Sequence, residues 1–272
     1  MRAVNNFRDC FAVANACYPT AKKHTLPKRI KFSLRLFYGY RPIVQNIEAF
    51  FAETLLRRNI IELPEFREHI YIQQVRPCFY RNSISASRAH FLRSHFKILE
   101  RTHTAATVEN IYSQTLRPIA IQTGTGELSF EIGYHYSILK EGLLRLSIAI
   151  NGVSLYRISF WFSEHYGLPT LCIGALQGGQ DTLEANHAFT KAFWGLRPQN
   201  MAMMVLRWYA QTAGIKQIYT FPKDRLLSRR ISEQTDLDQF WLEQGAMPVE
   251  QTPFVQLHLD APRKDLSAVP TR

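Results

Sequence analysis

Apolar positions follow two different periods along this chain. Through residues 1–105 they recur three and four apart, the mark of helices that bury one face. RPIVQNIEAFFAETLLRRN (41–59) gathers Ile43, Ile47, Phe50, Phe51 and Leu55 on one side and predicts a single helix ending at Asn59. SASRAHFLRSHFKILERT (85–102) does the same with Phe91, Leu92, Phe96 and Leu99, while Arg88, Arg93, Lys97 and Arg101 predict a basic outer face. Near residue 115 the period drops to two. LRPIAIQTGTGELSFEIGYHY alternates around Gly124-Thr125-Gly126, a hairpin signal, and LLRLSIAI, VSLYRISFWFS and LPTLCIGALQ follow. Asn151-Gly152 and the stretch His165–Pro169 separate these runs as tight turns. The pattern predicts an antiparallel meander of four or five strands.

Helical spacing then returns. QNMAMMVLRWYAQTAG (199–214) aligns Met201, Met204, Val205, Trp208 and Ala213 and stops at Gly214. KQIYTF (216–221) reads as a buried strand halted by Pro222, DLDQFWLEQGA (236–246) as a short helix between Asp and Gly, and FVQLHLD (254–260) as a last strand. The second half reads β-β-β-β, loop, α, β, α, β. The expected fold is α+β, a helical N-terminal region packed on a mixed, largely antiparallel sheet. The expected parts are a basic helical region (1–110), an α/β domain (111–262) and a tail (263–272). No repeat or low-complexity segment interrupts them.

A hydrophobic fraction of 46% in 272 residues provides a sizeable core and excludes a disordered chain. The net charge of +11 changes the picture more. It favours anionic partners: nucleic acid, an acidic carrier protein, a phosphorylated cofactor or an anionic membrane face. A basic surface kept for solubility gives the same count. Residues 1–50 hold nine Lys and Arg, among them Lys22, Lys23, Lys28 and Arg29, against Asp9 and Glu48. Interleaved with Phe and Leu, such a segment suits anionic lipid or RNA. No RNA-recognition or zinc-finger signature is present, so no motif indicates nucleic acid. Cys10, Cys17, Cys78 and Cys172 form no CxxC and have no His at ligand spacing, so no metal site is expected and a reducing compartment is. No apolar run approaches the roughly 18 residues of a membrane span, and Asp9 sits where a signal peptide carries positive charge. The expectation is a cytoplasmic protein, peripheral at most on the inner membrane.

Six segments, in order, resemble the VirK/YbjX family, bacterial proteins of unknown function. They are RSHF (93–96), KEG (140–142), LYRISFWF (155–162), IGALQG (173–178), FTKAFWGLRPQ (189–199) and DQFWLEQGA (238–246), and the likeness runs from about residue 30 to the end. Trp194, Gln199 and Leu143 stand where the family usually has His, Lys and an acidic residue. The resemblance implies roles in virulence and in resistance to cationic antimicrobial peptides in Gram-negative bacteria, and no agreed reaction. The order of elements after residue 168 is also similar to the C-terminal half of a GNAT-type acyltransferase. Phe240 to Gly245 is similar to that fold's aromatic-plus-glycine helix, and Gly195-Leu196-Arg197-Pro198 stands in place of its pyrophosphate loop. A GNAT-like sheet is therefore expected, although layout alone does not confer activity.

Acyl transfer needs a held donor, a nucleophile that loses its proton, and a partner for the carbonyl oxygen. For the donor, Gln177, Gly178 and Gly179 would let a ligand approach the backbone. Gly195 and Arg197 open a helix whose N-terminus suits phosphate, and Lys191 adds charge. The same residues also fit a plain strand-to-helix connection with a solvent-facing lysine. For the base, His135, Glu141 and Glu164 are candidates, although Glu164 and the adjacent His165 read as solvated at a strand end. His135 equally suits a surface or core histidine, and Glu141 a turn carboxylate. The short helix carries Phe240 and Trp241 where a GNAT acid is usually Tyr, which leaves Tyr219 as a substitute or as core. No Walker, Rossmann, GxSxG or HExxH spacing occurs. Two functions follow as expectations. One is transfer of an acyl or aminoacyl group from acyl-CoA, acyl carrier protein or aminoacyl-tRNA onto a cell-envelope or other amine-bearing acceptor. The other is a non-catalytic binding or regulatory protein docked on anionic membrane or nucleic acid.

Overall fold

The first helix, α1 (Phe7–Cys17), starts with a reciprocal cap in which Asn6 accepts from Asp9 N–H and Asp9 accepts from Asn6 N–H. The computed structural model describes residues 4–18, 25–116, 118–124, 126–135, 140–179, 182–227, 236–250 and 252–260. The expected tail, Lys22, Lys23 and Thr125 lie outside the described residues. Helix α2 (Thr25–Arg35) passes through a π-helical turn (Leu36–Tyr40) into α3 (Arg41–Ala52).

The single helix expected over 41–59 is broken. Thr54 leaves helical geometry and caps α4 (Leu55–Ile61) through Arg57 N–H. The cause is Arg57, whose guanidinium grips both carboxylate oxygens of Glu100 (2.7 and 2.8 Å), Glu53 (2.7 Å) and the Phe50 carbonyl (2.9 Å). Turning Arg57 inward leaves Leu55 67% exposed, against its expected place on the apolar face. Helices α5 (Pro64–Val75), α6 (Ser85–Thr102) and α7 (Ala105–Tyr112) complete the helical half. Helix α6 matches its expected span, but Arg88 is not on the basic outer face. It is buried, donating to the carbonyls of Ser83 and Gln74.

The meander forms as the period of two predicts: β1 (Ile119–Thr123), β2 (Gly126–Gly133), β3 (Leu144–Ile150), β4 (Val153–His165) and β5 (Leu168–Gly178). Its turns at Asn151-Gly152 (φ 50° and 77°) and Tyr166-Gly167 (φ 51° and 75°) are the left-handed pairs that match strand twist. Next come α8 (Leu183–Ala192), α9 (Pro198–Thr212), β6 (Gln217–Thr220), α10 (Leu237–Glu243), β7 (Met247–Pro248) and β8 (Val255–Leu257). The sheet order is β1-β2-β3-β4-β5-β6-β8-β7, with β5 and β6 parallel and the other neighbours antiparallel. The fold is α+β on a mixed, mostly antiparallel sheet.

Two elements depart from expectation here. The polar stretch after Gly179 is helix α8 rather than loop; it buries Phe189 alone and so carries no apolar stripe. Helix α9 buries Ala202, Met203, Leu206 and Ala210, while Met204 and Trp208, expected inside, are 46% and 59% exposed. Arg207 turns the face. It is buried between the Gln244 side chain (2.7 Å) and the His258 carbonyl (3.0 Å).

One buried cluster runs from Ile47 to Leu257 and so crosses position 110; a second, from Val4 to Val75, lies under α1 and α2. His95 of α6 joins helices to sheet. Its Nδ1 accepts from Phe162 N–H of β4 (3.0 Å), so Nε2 carries the proton and donates to the Tyr112 hydroxyl (2.7 Å). Burial pushes its pKa down to about 3, which keeps the ring neutral.

The Arg57 cluster generates a stability prediction. Glu100→Ala leaves a buried guanidinium short of its main partner and should cost roughly 3 kcal/mol. Glu53→Ala removes an exposed partner and should cost under about 1 kcal/mol. Urea denaturation of both variants measures the difference.

Candidate functional site

Strand β5 outruns its parallel neighbour. It pairs with β6 over Thr170–Cys172 only, and beyond that no described strand borders it on that side. Just past the parting it carries a bulge, since Ser159 pairs with Ala175 and Phe160 with Ile173, leaving Gly174 extra. The chain between β2 and β3 crosses over this point. A Cβ added to Gly174 would stand 1.8 Å from the carbonyl oxygen of Glu141, so only glycine admits the crossing.

Several bonds hold the crossing segment. Leu143 N–H donates to the Phe160 carbonyl (3.0 Å), Phe79 N–H to that of Lys140, and Gln73 Nε2 to that of Gly142 (3.4 Å). Phe79 adopts φ 69°, a costly backbone for an aromatic residue. Gln73 also touches His69 Nε2 (2.8 Å), and His69 Nδ1 meets the Tyr134 hydroxyl (2.9 Å). Sequence reasoning missed His69 and Gln73. The available signal was two polar residues four apart in α5, on a face that packs inward.

The crossing brings two separately expected residues together. Glu141 Oε2 accepts from Gln177 Nε2 at 2.8 Å. Burial raises the Glu141 pKa to about 6, opposed by neighbouring Lys140. Gly178 pairs with Tyr156 at the end of β5. Gly179 has a structural reason: a Cβ there would meet the Ser154 carbonyl at 2.1 Å.

Beyond β5 a cleft of about 950 Å³ opens between α8 and the start of α9. Tyr156, the partner of Gly178, forms its inner wall, and His187, Lys191, Gly195, Arg197 and Gln199 line it. No carboxylate lines it among the described residues. Helix α9 begins with Arg197 extended and Pro198 in the first turn, and no side chain caps it. Its first amides and dipole therefore favour an anion. At the corner, Trp194 (φ 50°) is 94% exposed and Gly195 has φ 85°.

The remaining candidates lie apart. His135, half-buried, leaves β2, three strands from β5. Tyr219 lies opposite Cys172, before the strands part, 2% exposed and packed on His165 and Phe254. Burial raises its hydroxyl pKa. Glu164 is exposed as expected, but His165 is not solvated. It sits half-buried, 3.7 Å from Cys172 Sγ, and burial takes its pKa down to about 4.

A family model described as "Protein of unknown function (DUF535)" matches residues 21–272. The chain belongs to the DUF535 family. No curated protein matches it. The DUF535 match takes in the crossing segment, the end of β5 and the whole cleft. Among its described residues, no helix is long and apolar enough to cross a membrane. No group of three or more His, Cys, Asp or Glu among them is placed to hold a metal ion.

Glu141 gives this DUF535 chain a testable pH signature. The carboxyl binds its proton more tightly in the fold, at a pKa of about 6, than in the unfolded chain, near the ordinary 4.5. Folding stability therefore falls as pH rises across that interval, by on the order of 2 kcal/mol at full ionisation. Glu141→Gln removes the charge and keeps an amide contact to Gln177. Its urea midpoint should exceed that of the wild type at about pH 7.5 and match it at about pH 4. Equal midpoints at both pH values would mean a solvated carboxylate.

Proposed function

We propose that this DUF535 protein transfers an acyl or aminoacyl group from an anionic carrier onto an amine-bearing acceptor of the cell envelope. One observation carries the proposal: Glu141, with a pKa lifted to about 6, contacts Gln177 at the end of β5, across the sheet from the basic cleft that Tyr156, the partner of the next residue Gly178, lines. A carboxylate poised near neutrality is matched to taking a proton from an amine.

In this mechanism the phosphates of acyl-CoA, of a carrier protein's prosthetic arm or of aminoacyl-tRNA meet Lys191, Arg197 and the first turn of α9. Gly178 and Gly195 leave room for the arm. The acceptor nitrogen attacks the donor carbonyl and loses its proton to Glu141. The carrier's sulfur or ribose oxygen then leaves with the electron pair of the broken bond. Gln177 holds the Glu141 carboxylate in place. Buried Tyr219, and His135 at the end of β2, take no part.

The parallel strands that part after Cys172 support the likeness to a GNAT layout, in which a donor arm lies between parting strands. The VirK/YbjX resemblance supplies the biological setting. Acylating or aminoacylating envelope components lowers their attraction for cationic peptides, which fits resistance and virulence. The chain would work on the cytoplasmic side, peripheral on the inner membrane. A non-catalytic protein docked on an anionic surface is the competing function, and under it Glu141 and Arg197 are dispensable.

Native mass spectrometry and calorimetry with acetyl-CoA, a charged acyl carrier protein and an aminoacyl-tRNA test the donor. Lys191→Ala and Arg197→Ala should each weaken binding about tenfold. Glu141→Gln should leave donor binding intact and slow transfer about a hundredfold or more. Absence of a bound donor, together with unchanged envelope composition on deletion, would overturn the proposal.

A further inference from the structure

Helix α2 is apolar on two sides. Phe32, and Leu36 just past its end, face the core beneath α1. Leu26, Ile30 and Leu34, each four residues apart, remain exposed as a ridge. A shallow groove of about 450 Å³ follows that ridge, bordered by Lys31 and Arg35.

Beside the groove lies a pocket of about 500 Å³ between α2, the end of α5 and the start of the crossing segment. Lys28, Lys31, Arg35, Arg76 and Lys140 line it. No carboxylate lines it among the described residues, and none of these five cations forms an ion pair among them. Five positive charges around one concavity raise the local potential and select an anion. The adjoining ridge, flanked by Lys and Arg, has the composition of a helix lying at the boundary of headgroups and acyl chains. A free anion satisfies the pocket but not the ridge. Nucleic acid brings phosphates but no acyl chain. An acidic phospholipid satisfies both.

We propose that α2 docks this protein on an anionic phospholipid bilayer, with a headgroup phosphate in the five-cation pocket and Leu26, Ile30 and Leu34 at the acyl boundary. Lys140 precedes Glu141 in the chain, so a lipid held there lies beside the carboxylate assigned as base. That last clause rests on the transfer proposal; the docking does not.

Co-sedimentation of the full chain with vesicles tests the docking. Vesicles of equal parts phosphatidylcholine and phosphatidylglycerol should bind it, less so as salt rises, and vesicles of phosphatidylcholine alone should not. The double substitution Lys31→Gln with Arg35→Gln should lower the partition coefficient about thirty-fold. Leu26→Ser with Leu34→Ser should lower it about tenfold with every cation retained. All four positions are exposed, and circular dichroism verifies that both variants fold. Equal binding to neutral vesicles, wild-type binding by either double variant, or tighter binding to single-stranded RNA than to acidic vesicles would each overturn the docking. Donor binding through Arg197 is read separately, so failure of one proposal leaves the other standing.

Discussion

The contact on which the candidate site depends is between two backbones. Gly174 lacks the side chain that would exclude the Glu141 carbonyl, and so the link from β2 to β3 can lie flat on the bulge of β5. Everything chemically distinctive nearby follows from that approach. Glu141 is desolvated because it is pressed between sheet and helices, and it meets Gln177 because both flank the bulge. A methyl group at position 174 would push the segment away and return the carboxylate to water. The strained Phe79 and the buried amide of Gln73 brace the segment from the helical side.

Most of the fold was legible because its signals are local. Asn-Gly and Tyr-Gly turns, strands of period two and the eighteen residues of α6 each announce themselves within a short window. What escaped depends on distant partners. The break at Thr54 follows from Arg57 reaching a glutamate 43 residues on. The rotation of α9 follows from Arg207 meeting Gln244, 37 residues on. Helix α8 escaped for another reason: with one buried residue it lacks the stripe by which helices are recognised.

The site was half legible. Glu141, Gln177, Lys191, Gly195 and Arg197 were each nameable from residue type and setting. The pairing of the first two across 36 residues was not. Four of the family-like segments prove to be paired contacts. KEG lies on IGALQG through Glu141 and Gly174, and RSHF is tied to LYRISFWF through His95 and Phe162, whereas Gln244 of DQFWLEQGA binds Arg207 of α9, outside the six segments. A linear motif here is one side of an interface.

The two walls of the cleft are held very unequally. Helix α9 sinks Ala202, Met203, Leu206 and Ala210 into the core, whereas α8 sinks Phe189 alone, stacked on Phe193 at 4.3 Å. An element with so little buried surface opens at small cost while the sheet behind it stays intact. The position of the α8 wall therefore rests on a single buried aromatic ring, while the α9 wall is fixed by the core itself.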